Sequence, residues 1–393
     1  MAPQRVALLF QRDLAFCRGV LSGAEEWLAD SGAGWHLRHA PSSVEVMDSL
    51  REWKPDGVLG HVFDDKLATA LQEWGGPFVN TTLTLPDLAV PVVDADQVAV
   101  GEMAADYLLG LGFRQFGFYG NPWATFSLQR EEGFRRGLRR AGFEASASYA
   151  DYLPMRSARA SWVAADAELS AWLQSLPKPA AVFCCHDVPA RDVAEACTTL
   201  GLRVPEEIAI LGVDNDRFEC EITRPTLSSI ALPMREIGRQ AAGLLAQAMA
   251  SGSADTSSVR TPTVIAIPPV HVVARRSTDL RAVRDPSVRR ALAFLQDHFT
   301  ESVGVGETAQ AAGLSRRQLE RRFRDALGRT ILSEIHRLRV DAAMKLLAET
   351  ELKIEAVATR SGFSSARQMA EVFRRTLGKP PSACRREARE MLG

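Results

Sequence analysis

Three polar residues directly follow predicted buried strands, where side chains can meet a ligand. Asp187 follows the apolar run 181–185, and Asp214 and Asn215 follow the apolar run 208–213. In open α/β folds, ligands bind at the carboxyl ends of the strands. Carboxylate and amide groups form paired hydrogen bonds with ligands that carry hydroxyl groups. The alternative is that Asp187 and Asp214 only cap the helices that follow them.

A site for a ligand with a hydroxylated ring also needs an aromatic face for the C–H side of that ring. Trp123 and Phe126 follow the predicted turn Asn121-Pro122 and are candidates for that stacking wall. An equally good interpretation is that they anchor the loop by hydrophobic contact. Asp96-Gln97 precedes a predicted helix, and there we expect capping rather than ligand binding.

The run Cys184-Cys185-His186-Asp187 has the composition of a metal or thiol site. Adjacent strand residues point alternately to opposite faces of a sheet, so these four cannot all bind one ion. We therefore expect buried cysteines and predict no metal and no cofactor. The chain also lacks a phosphate-binding Gly motif, HExxH and GxSxG, so the sequence predicts no enzyme.

A second kind of chemistry is predicted for two arginine-containing helices. If Leu319 and Phe323 face the core, the outward residues of the first helix are Arg316, Arg317, Glu320, Arg321 and Arg324. Arg317 and Arg321 are four residues apart and can each make a bidentate contact to guanine, whereas Arg316 and Arg324 suit phosphates. The outward residues of the second helix are Ala366, Arg367, Ala370 and Glu371. Of these we predict Arg367 and Glu371 to read bases.

The elements that must position these side chains form one pattern that occurs twice. In each copy a short helical segment ends near a glycine, Gly313 or Gly362, and a serine then stands where it can cap a second helix. The second copy has one more residue between the glycine and its core phenylalanine. Such a pattern is typical of the helix-turn-helix, whose second helix enters the major groove. Apolar spacing over 335–348 predicts one linking helix, and the alternative is a helical module that only packs.

Composition supports more than one domain in the 393 residues. The net charge of −1 conceals a split: residues 287–393 hold 20 Lys and Arg against 13 Asp and Glu, a net of +7, and the remainder has a net of −8. A basic end on an acidic body is typical of a phosphate-binding module attached to one that does not bind DNA. We find no secretory segment, no apolar run as long as a membrane span and six irregularly spaced cysteines, and we expect a cytoplasmic protein.

The body alternates short apolar runs with amphipathic segments, which predicts doubly wound parallel sheets with both faces covered. Two such series predict two lobes with a cleft between them. We predict strands at 6–10, 35–38, 57–60, 78–80, 90–94, 115–119, 181–185, 208–213, 227–230, 264–267 and 271–273. We predict helices at 15–30, 44–53, 66–74, 98–111, 128–141, 162–176, 188–200 and 234–250, and a loop at 251–258.

The C-terminal part resembles the AraC-type DNA-binding domain. The residues that carry the resemblance are Arg339, Ala343, Leu346-Leu347, Ile354-x-x-Val357-Ala358, Gly362-Phe363, Phe373-Arg374-Arg375, Gly378-x-x-Pro381 and Arg385. That family usually has an aromatic pair where this chain has Gln368-Met369, and we expect Met369 to fill the core in its place.

The body resembles the sensor of LacI-type regulators, itself similar to periplasmic sugar-binding proteins. The resemblance rests on Phe116-Gly117-Phe118-Tyr119-Gly120, Arg130-x-x-x-Phe134, Cys185-x-Asp187-x-x-Ala190, Val204-Pro205 and Ile210-x-Gly212-Val213-Asp214-Asn215. It implies that Asp187, Asp214 and Arg130 contact an effector, and that Phe16 and Arg18 add contacts at the start of the first helix.

A LacI-type sensor followed by an AraC-type domain resembles the family of xylose operon regulators, as do the junction Val272-x-x-Arg275-Arg276-Ser277-Thr278-Asp279 and Asp285-Pro286. The resemblance implies a sensor at 1–276, a linker at 277–286 and a DNA-binding domain at 287–393. It also implies an activator that responds to D-xylose or another pentose, binds promoter DNA as a homodimer and contacts RNA polymerase. The alternatives are another sugar, a repressor, or a sugar-processing enzyme with an appended DNA-binding domain.

Overall fold

The computed structural model describes residues 3–85, 88, 90–150, 162–250, 264–279, 285–327, 329–377 and 379–392. They form two compact units. The first unit contains the described residues up to Tyr107 and from Gln115 to Thr278; the second contains Leu108–Arg114 and the described residues from Asp279 to Leu392. The predicted loop at 251–258, residues 280–284 of the predicted linker and Gly378 lie outside the described residues.

Two sheets make up the core of the first unit. In the described residues its strands are β1 (Gln4–Leu9), β2 (Trp35–Ala40), β3 (Gly57–Gly60), β4 (Phe78–Asn80), β5 (Val92–Ala95), β6 (Phe116–Gly120), β7 (Ala145–Tyr149), β8 (Ala180–Cys184), β9 (Ile208–Val213), β10 (Ser228–Ala231), β11 (Val264–Ile267) and β12 (His271–Val273). The first sheet has the order β11-β5-β4-β3-β1-β2, and the second has the order β12-β10-β9-β8-β6-β7. All neighbours are parallel except β10 and β12.

Helices cover both sheets and give two α/β lobes. They are α1 (Ala15–Ser31), α2 (Met47–Trp53), α3 (Asp65–Trp74), α4 (Gln97–Gly110), α5 (Thr125–Arg140), α6 (Trp162–Ser175), α7 (Asp187–Thr199), α8 (Arg217–Ile222) and α9 (Met234–Ala250). Every residue of β3, β5, β6, β8 and β9 is buried, as expected of parallel strands covered on both faces. The predicted two-lobed fold is confirmed.

Each lobe is assembled from separate stretches of the chain. The chain passes from the first lobe to the second after β5, returns after β10, and crosses again between β11 and β12. Helix α9 packs on α1 so closely that a Cβ on Gly23 would lie 1.8 Å from the carbonyl oxygen of Arg235. Glycine is required there because the two backbones touch.

The structure differs from the sequence prediction at three places. The segment predicted as a helix over 44–53 begins as a 3-10 turn, Val44–Val46, and the α-helix starts at Met47. Strand β7 was not predicted, because its sequence ASASY lies at a sheet edge and has only one buried residue. Helix α8 was not predicted either, because six residues are too short to show a helical period.

The second unit contains the helices α10 (Pro286–His298), α11 (Val305–Ala312), α12 (Arg316–Leu327), α13 (Ile331–Glu349), α14 (Ile354–Arg360), α15 (Ala366–Leu377) and α16 (Pro381–Leu392). The pairs α11–α12 and α14–α15 are the two helix-turn-helix units, and α13 is the predicted linking helix. Ile335 of α13 belongs to the core of the first helix-turn-helix and Leu347 to that of the second. None of the helices in the described residues is long and apolar enough to cross a membrane.

Asp285-Pro286 marks the start of α10 for a physical reason. The Asp285 carboxylate accepts hydrogen bonds from the backbone N–H groups of Ser287, at 2.8 Å, and Val288, at 3.4 Å. Pro286 occupies the first turn, where its missing N–H is not needed. Arg322 of α12 lies 3.1 Å from the same carboxylate, so this cap also joins the start of α10 to the first helix-turn-helix.

Candidate ligand cavity and nucleic-acid interface

A cavity of about 300 Å³ opens between the two lobes of the first unit. Its walls come from the segments that follow β1, β3, β4, β5, β8 and β9, together with α5. All of these segments leave the carboxyl ends of parallel strands, because both sheets direct those ends toward the cleft. The cavity is therefore built as the alternating pattern of strands and helices predicts.

Arg130 of α5 is the fixed hydrogen-bond donor of the cavity. Its side chain is 4% exposed; Nε donates to Gln97 Oε1 at 2.7 Å, and Nη1 donates to the carbonyl oxygen of Cys185. Nη2 lies 4.0 Å from Asp214 Oδ1, and the guanidinium carbon lies 5.0 Å from the centre of the Phe126 ring. Gln97, the Cys185 carbonyl and the Phe126 ring thus hold the Arg130 guanidinium in place where it lines the cavity.

Several carboxyl groups in the cavity have raised pKa values, among them Asp94 and Asp214. Burial raises the pKa of Asp94 to about 6 and that of Asp214 to about 7, although the charge of Arg130 acts in the opposite direction. Asp94 accepts backbone hydrogen bonds from Ala95 at 2.7 Å and Leu83 at 2.8 Å. Asp214 has φ 102°, a left-handed conformation that L side chains rarely adopt.

Asp187 begins α7 and is 1% exposed. Its Oδ2 accepts the backbone N–H of Asp216 at 2.8 Å and the Cys220 thiol at 3.4 Å, and no side chain caps α7. Within the described residues Oδ1 is buried and has no hydrogen-bond partner, and it lies so close to Gly212 that a Cβ there would be 2.1 Å away. Burial raises the pKa of Asp187 well above its ordinary value. The capping alternative applies instead to Asp216, which caps α8.

The cavity brings together five of the eight predicted ligand residues: Phe16, Phe126, Arg130, Asp187 and Asp214. The other three lie outside its lining. Arg18 is exposed and donates to the carbonyl oxygens of Arg12, at 3.0 Å, and Asp13, at 2.6 Å. Trp123 is 63% exposed. Asn215 accepts a hydrogen bond from Arg275 Nη2 at 2.7 Å.

Several lining residues were not predicted. Asp94 is a carboxyl group inside a buried apolar strand, and that unusual placement was the signal that could have found it. The capping predicted for Asp96-Gln97 is confirmed at Asp96, whose Oδ1 accepts the N–H of Ala99 at 2.9 Å, whereas Gln97 lines the cavity. His61 also lines the cavity, and burial lowers its pKa to about 4, so the ring is neutral.

Cys184 and Cys185 are buried free thiols, as are the other four cysteines. Burial raises the pKa of Cys185 to about 12. No group of three His, Cys, Asp or Glu side chains that could hold a metal ion occurs in the described part of the chain.

The second helices of the two helix-turn-helix units, α12 and α15, begin in the same way. Gln318 Oε1 accepts the backbone N–H of Ser315 at 3.1 Å, and Gln368 Oε1 accepts that of Ser364 at 2.9 Å. Ser365 Oγ in turn accepts the N–H of Gln368 at 3.1 Å. Both helices are 12 residues long, so the extra residue of the second copy lies in the turn.

The predicted inner faces of these helices are confirmed. Leu319, Phe323, Met369 and Phe373 are each 0% exposed, so Met369 fills the core where an aromatic residue is usual. On the outer faces, Arg316 pairs with Glu320 at 3.0 Å and Arg367 with Glu371 at 3.2 Å. Arg317, Arg321 and Arg324 are exposed, whereas Ala366 and Ala370 are half-buried.

Gly362 sets the position of the second turn. Its φ is 85°, and a Cβ there would lie 2.5 Å from the carbonyl oxygen of Phe299. Arg339 of α13 donates to the carbonyl oxygens of Phe299 and Glu301, both at 2.8 Å. The second turn therefore packs directly against the segment between α10 and α11, which joins the two helix-turn-helix units into one body.

A ligand cavity between two α/β lobes, followed by two helix-turn-helix units, defines a ligand-responsive regulator of transcription. Residues 105–278 match the periplasmic binding protein-like domain, and residues 308–387 match a helix-turn-helix domain. The xylose operon regulatory protein of Escherichia coli K12 is 30% identical over 391 residues, which cover 97% of this chain and 96% of that relative. The chain belongs to the family of xylose operon regulatory proteins and is a sugar-responsive DNA-binding transcription regulator.

Solved structures agree with this assignment. The structure of the xylose-binding transcription activator XylR aligns with 98% of this chain and 99% of its own, at 28% identity and a TM-score of 0.62. The complex of the transcriptional regulator CelR with cellobiose aligns with 70% of this chain and 86% of its own, at 25% identity and a TM-score of 0.56.

Proposed function

We propose that the chain is a D-xylose-responsive transcription activator. The observation that carries the proposal is the cavity between the lobes, in which buried carboxyl groups and a fixed arginine lie beside aromatic rings. The carboxylates of Asp187 and Asp214 accept hydrogen bonds from sugar hydroxyl groups, and Arg130 donates to a ring or hydroxyl oxygen. Phe16 and Phe126 cover the C–H faces of the ring.

The size of the cavity favours a single small sugar. Ligand cavities typically measure roughly 300–1,000 Å³, and this one has about 300 Å³. A monosaccharide suits such a volume better than a disaccharide. The relatives that are named for xylose support a pentose in particular.

The charge of the cavity favours a neutral sugar over a sugar phosphate or a sugar acid. Asp13, Asp94, Asp187, Asp214 and Asp216 all line the cavity, and Arg130 is the arginine among the lining residues. An anionic ligand would raise the pKa values of these carboxyl groups further and bind only when they are protonated, which costs free energy. D-Xylose carries no charge and avoids this cost.

The DNA-binding part of the proposal rests on α12 and α15. Arg317 and Arg321 read bases in the major groove, with Arg316 and Arg324 on phosphates and Glu320 beside them. In α15 the corresponding surface consists of Ala366, Arg367, Ala370 and Glu371. We place the sensor at 1–276, the linker at 277–286 and the DNA-binding domain at 287–393.

In the proposed mechanism the protein binds its promoter as a homodimer in the cytoplasm and contacts RNA polymerase. D-Xylose binds the state in which the lobes close around it more tightly than the open state. Closure changes the affinity for DNA, and this difference in affinity between states couples the sugar to transcription.

The test is a thermal-shift and calorimetric screen of the full-length chain against D-xylose, L-arabinose, D-ribose, D-glucose and D-xylose 5-phosphate. A ligand that binds only the native state stabilises it by about 2.7 kcal/mol at a hundred times its dissociation constant. We expect a shift with D-xylose, none with the phosphate, and an affinity at least about tenfold weaker in Asp214→Asn. Asp48→Asn, at a fully solvated side chain on α2, is the matched control and should bind normally.

The screen has two outcomes against the proposal. A shift with a different sugar would replace D-xylose as the effector and keep the site. No shift with any sugar, or equal binding by Asp214→Asn, would contradict the assignment of this cavity as the sugar site.

A further inference from the structure

We propose that Arg275 positions the sugar-binding corner at Asp214 and links that corner to the segment through which the chain leaves the sensor. This inference rests on the proposed function, because it concerns the same cavity. Arg275 itself lies outside the cavity lining and reaches the site through Asn215.

The corner after β9 has an unusual backbone. Asp214 has φ 102° and Asn215 has φ 52°, two successive residues in the left-handed region. Residues other than glycine keep such conformations only where the surrounding structure holds them. The corner that presents the Asp214 carboxyl group to the cavity therefore depends on its restraints.

Three hydrogen bonds restrain this corner. The backbone N–H of Asp214 donates to the carbonyl oxygen of Ile230 at 3.0 Å, and that of Asn215 donates to Ser229 Oγ at 2.9 Å. Both partners belong to β10, which pairs with β9. The third restraint is the bond from Arg275 Nη2 to Asn215 Oδ1 at 2.7 Å, which comes from a different part of the chain.

Arg275 is well placed to act as a fixed support. Its Nη1 donates to the carbonyl oxygen of Leu227 at 2.9 Å, so the two ends of the guanidinium fork hold different groups. Its backbone N–H donates to Ser228 Oγ at 2.7 Å. A lysine has a single Nζ in place of the planar fork, so it would have to reach both acceptors from one position.

The residues that follow Arg275 are bound to β9 and to the neighbouring strand β10. Ser277 Oγ donates to the carbonyl oxygen of Ile210 at 2.6 Å, and it accepts the N–H of Ser228 at 2.8 Å. The Thr278 hydroxyl lies 2.8 Å from the Tyr107 hydroxyl and 2.6 Å from Ser228 Oγ. Ser277 and Thr278 are almost fully buried.

One strand thus ends at the sugar-binding corner and also carries the exit segment, defined as residues 276–278. Arg275 joins the sugar-binding corner to the exit segment. Its side chain donates a hydrogen bond to Asn215, and its backbone directly precedes the exit segment. If the sugar moves Asp214, the hydrogen bond between Arg275 and Asn215 must change with it. That change reaches the exit segment through packed polar contacts.

The test compares Arg275→Met, Asn215→Gly and the double variant in the full-length chain. Glycine tolerates the φ of residue 215, so Asn215→Gly removes the contact and leaves the backbone able to keep its conformation. We expect each single variant to bind D-xylose about tenfold more weakly. The double variant should be no weaker than either, because both remove the same contact. Arg275→Lys should restore little, and Arg276→Met, at the exposed neighbour, should bind as wild type.

A second measurement reports the link to the exit segment. The affinity for an operator selected from random-sequence DNA is measured without sugar and at saturating D-xylose. In Arg275→Met the ratio of these two affinities should fall toward one. Additive losses in the double variant, or an unchanged ratio at saturation, would overturn the inference.

Amide hydrogen exchange without sugar separates this inference from the proposed function. In Arg275→Met, exchange should rise together at residues 214–216 and at the exit segment. If wild type bound no sugar in the screen, the proposed function would fail, and this joint rise would still support the role of Arg275. Exchange that rises at only one of the two places would overturn that role, whichever sugar binds.

Discussion

At the scale of single residues, the proposed sugar site combines buried carboxyl groups with one arginine that already has hydrogen-bond partners. Arg130 has hydrogen bonds to Gln97 and Cys185 and forms a long ion pair with Asp214 at 4.0 Å, beyond hydrogen-bond distance. The raised pKa of Asp214 follows from this arrangement, since burial acts more strongly than the attraction of Arg130. The carboxyl oxygens of Asp214 can therefore still accept hydrogen bonds from a ligand.

This arrangement predicts that sugar binding depends on pH. Sugar hydroxyl groups donate to the ionised carboxylate, and protonation of Asp214, with its pKa of about 7, removes that acceptor. We expect the D-xylose affinity to fall about tenfold from pH 8 to pH 6, measured by calorimetry, because the sugar itself does not titrate. Asp214→Asn should bind weakly with little pH dependence. A flat profile in wild type would contradict the role of the ionised carboxylate.

The stability of the sugar-free protein changes in the opposite direction. The folded-state pKa of Asp214 lies above its ordinary value of 3.8, so the folded state binds the proton more tightly than the unfolded state. The stabilisation from that proton is fully present below pH 3.8 and is lost as the pH rises through about 7. Sugar binding is thus strongest above about pH 7, where sugar-free Asp214 contributes least to the stability of the folded protein.

At the scale of elements, the two helix-turn-helix units share their construction and differ in surface. Both second helices start with a serine and glutamine cap and have a fully buried pair of core residues. Counted from Ser315 and Ser365, Arg321 in the first helix corresponds to Glu371 in the second. The two helices therefore present different groups at equivalent places, and we expect them to read different base sequences.

Arg321→Ala tests base reading by the first helix. Arg321 is exposed on α12, and loss of a bidentate contact to guanine costs about 1–3 kcal/mol of specific binding and relaxes one base position. Binding to a set of single-base operator variants measures both effects. Arg324→Ala, at a predicted phosphate contact, should weaken binding to operator and random DNA alike. If Arg321→Ala did the same, Arg321 would contact only a phosphate.

At the scale of the whole molecule, the C-terminal part and the remainder of the chain carry opposite net charges. Residues 287–393 have a net charge of +7 and the remainder a net charge of −8. We expect the acidic part to be repelled by the DNA backbone, so that DNA binding depends on the basic part.

The charge separation predicts a salt dependence that originates in the C-terminal part. Each phosphate contact contributes about 0.9 to the slope of log affinity against log salt concentration. Arg324→Gln should lower that slope by about one, whereas Arg51→Gln, at a half-exposed side chain on α2, should leave it unchanged. The measurement is operator affinity over a range of salt concentrations. An equal change in both variants would show that the acidic part also contacts DNA.

Patterns that depend on burial were predictable from the sequence, and those that depend on tertiary contacts were not. The buried strands and both recognition helices follow from apolar periodicity, and Asp187 and Asp214 follow from their places after strands. Asp94 and His61 were missed because they join the cavity only when six strand ends meet. Arg18 and Trp123 were predicted from their places near strand ends, but the orientation of a loop side chain is decided by local contacts that spacing does not encode.

The three crossings between the lobes also determine the order in which the chain can fold during synthesis. The first lobe needs α9 and β11, which are made after the whole of β6–β10. The ribosome therefore exposes an incomplete first sheet, with the edge of β5 unpaired, until residue 267 has emerged. The second lobe acquires its last strand, β12, only a few residues later. Nascent chains cut anywhere before residue 273 lack an edge strand in at least one sheet, and such chains are natural substrates for chaperones and proteases.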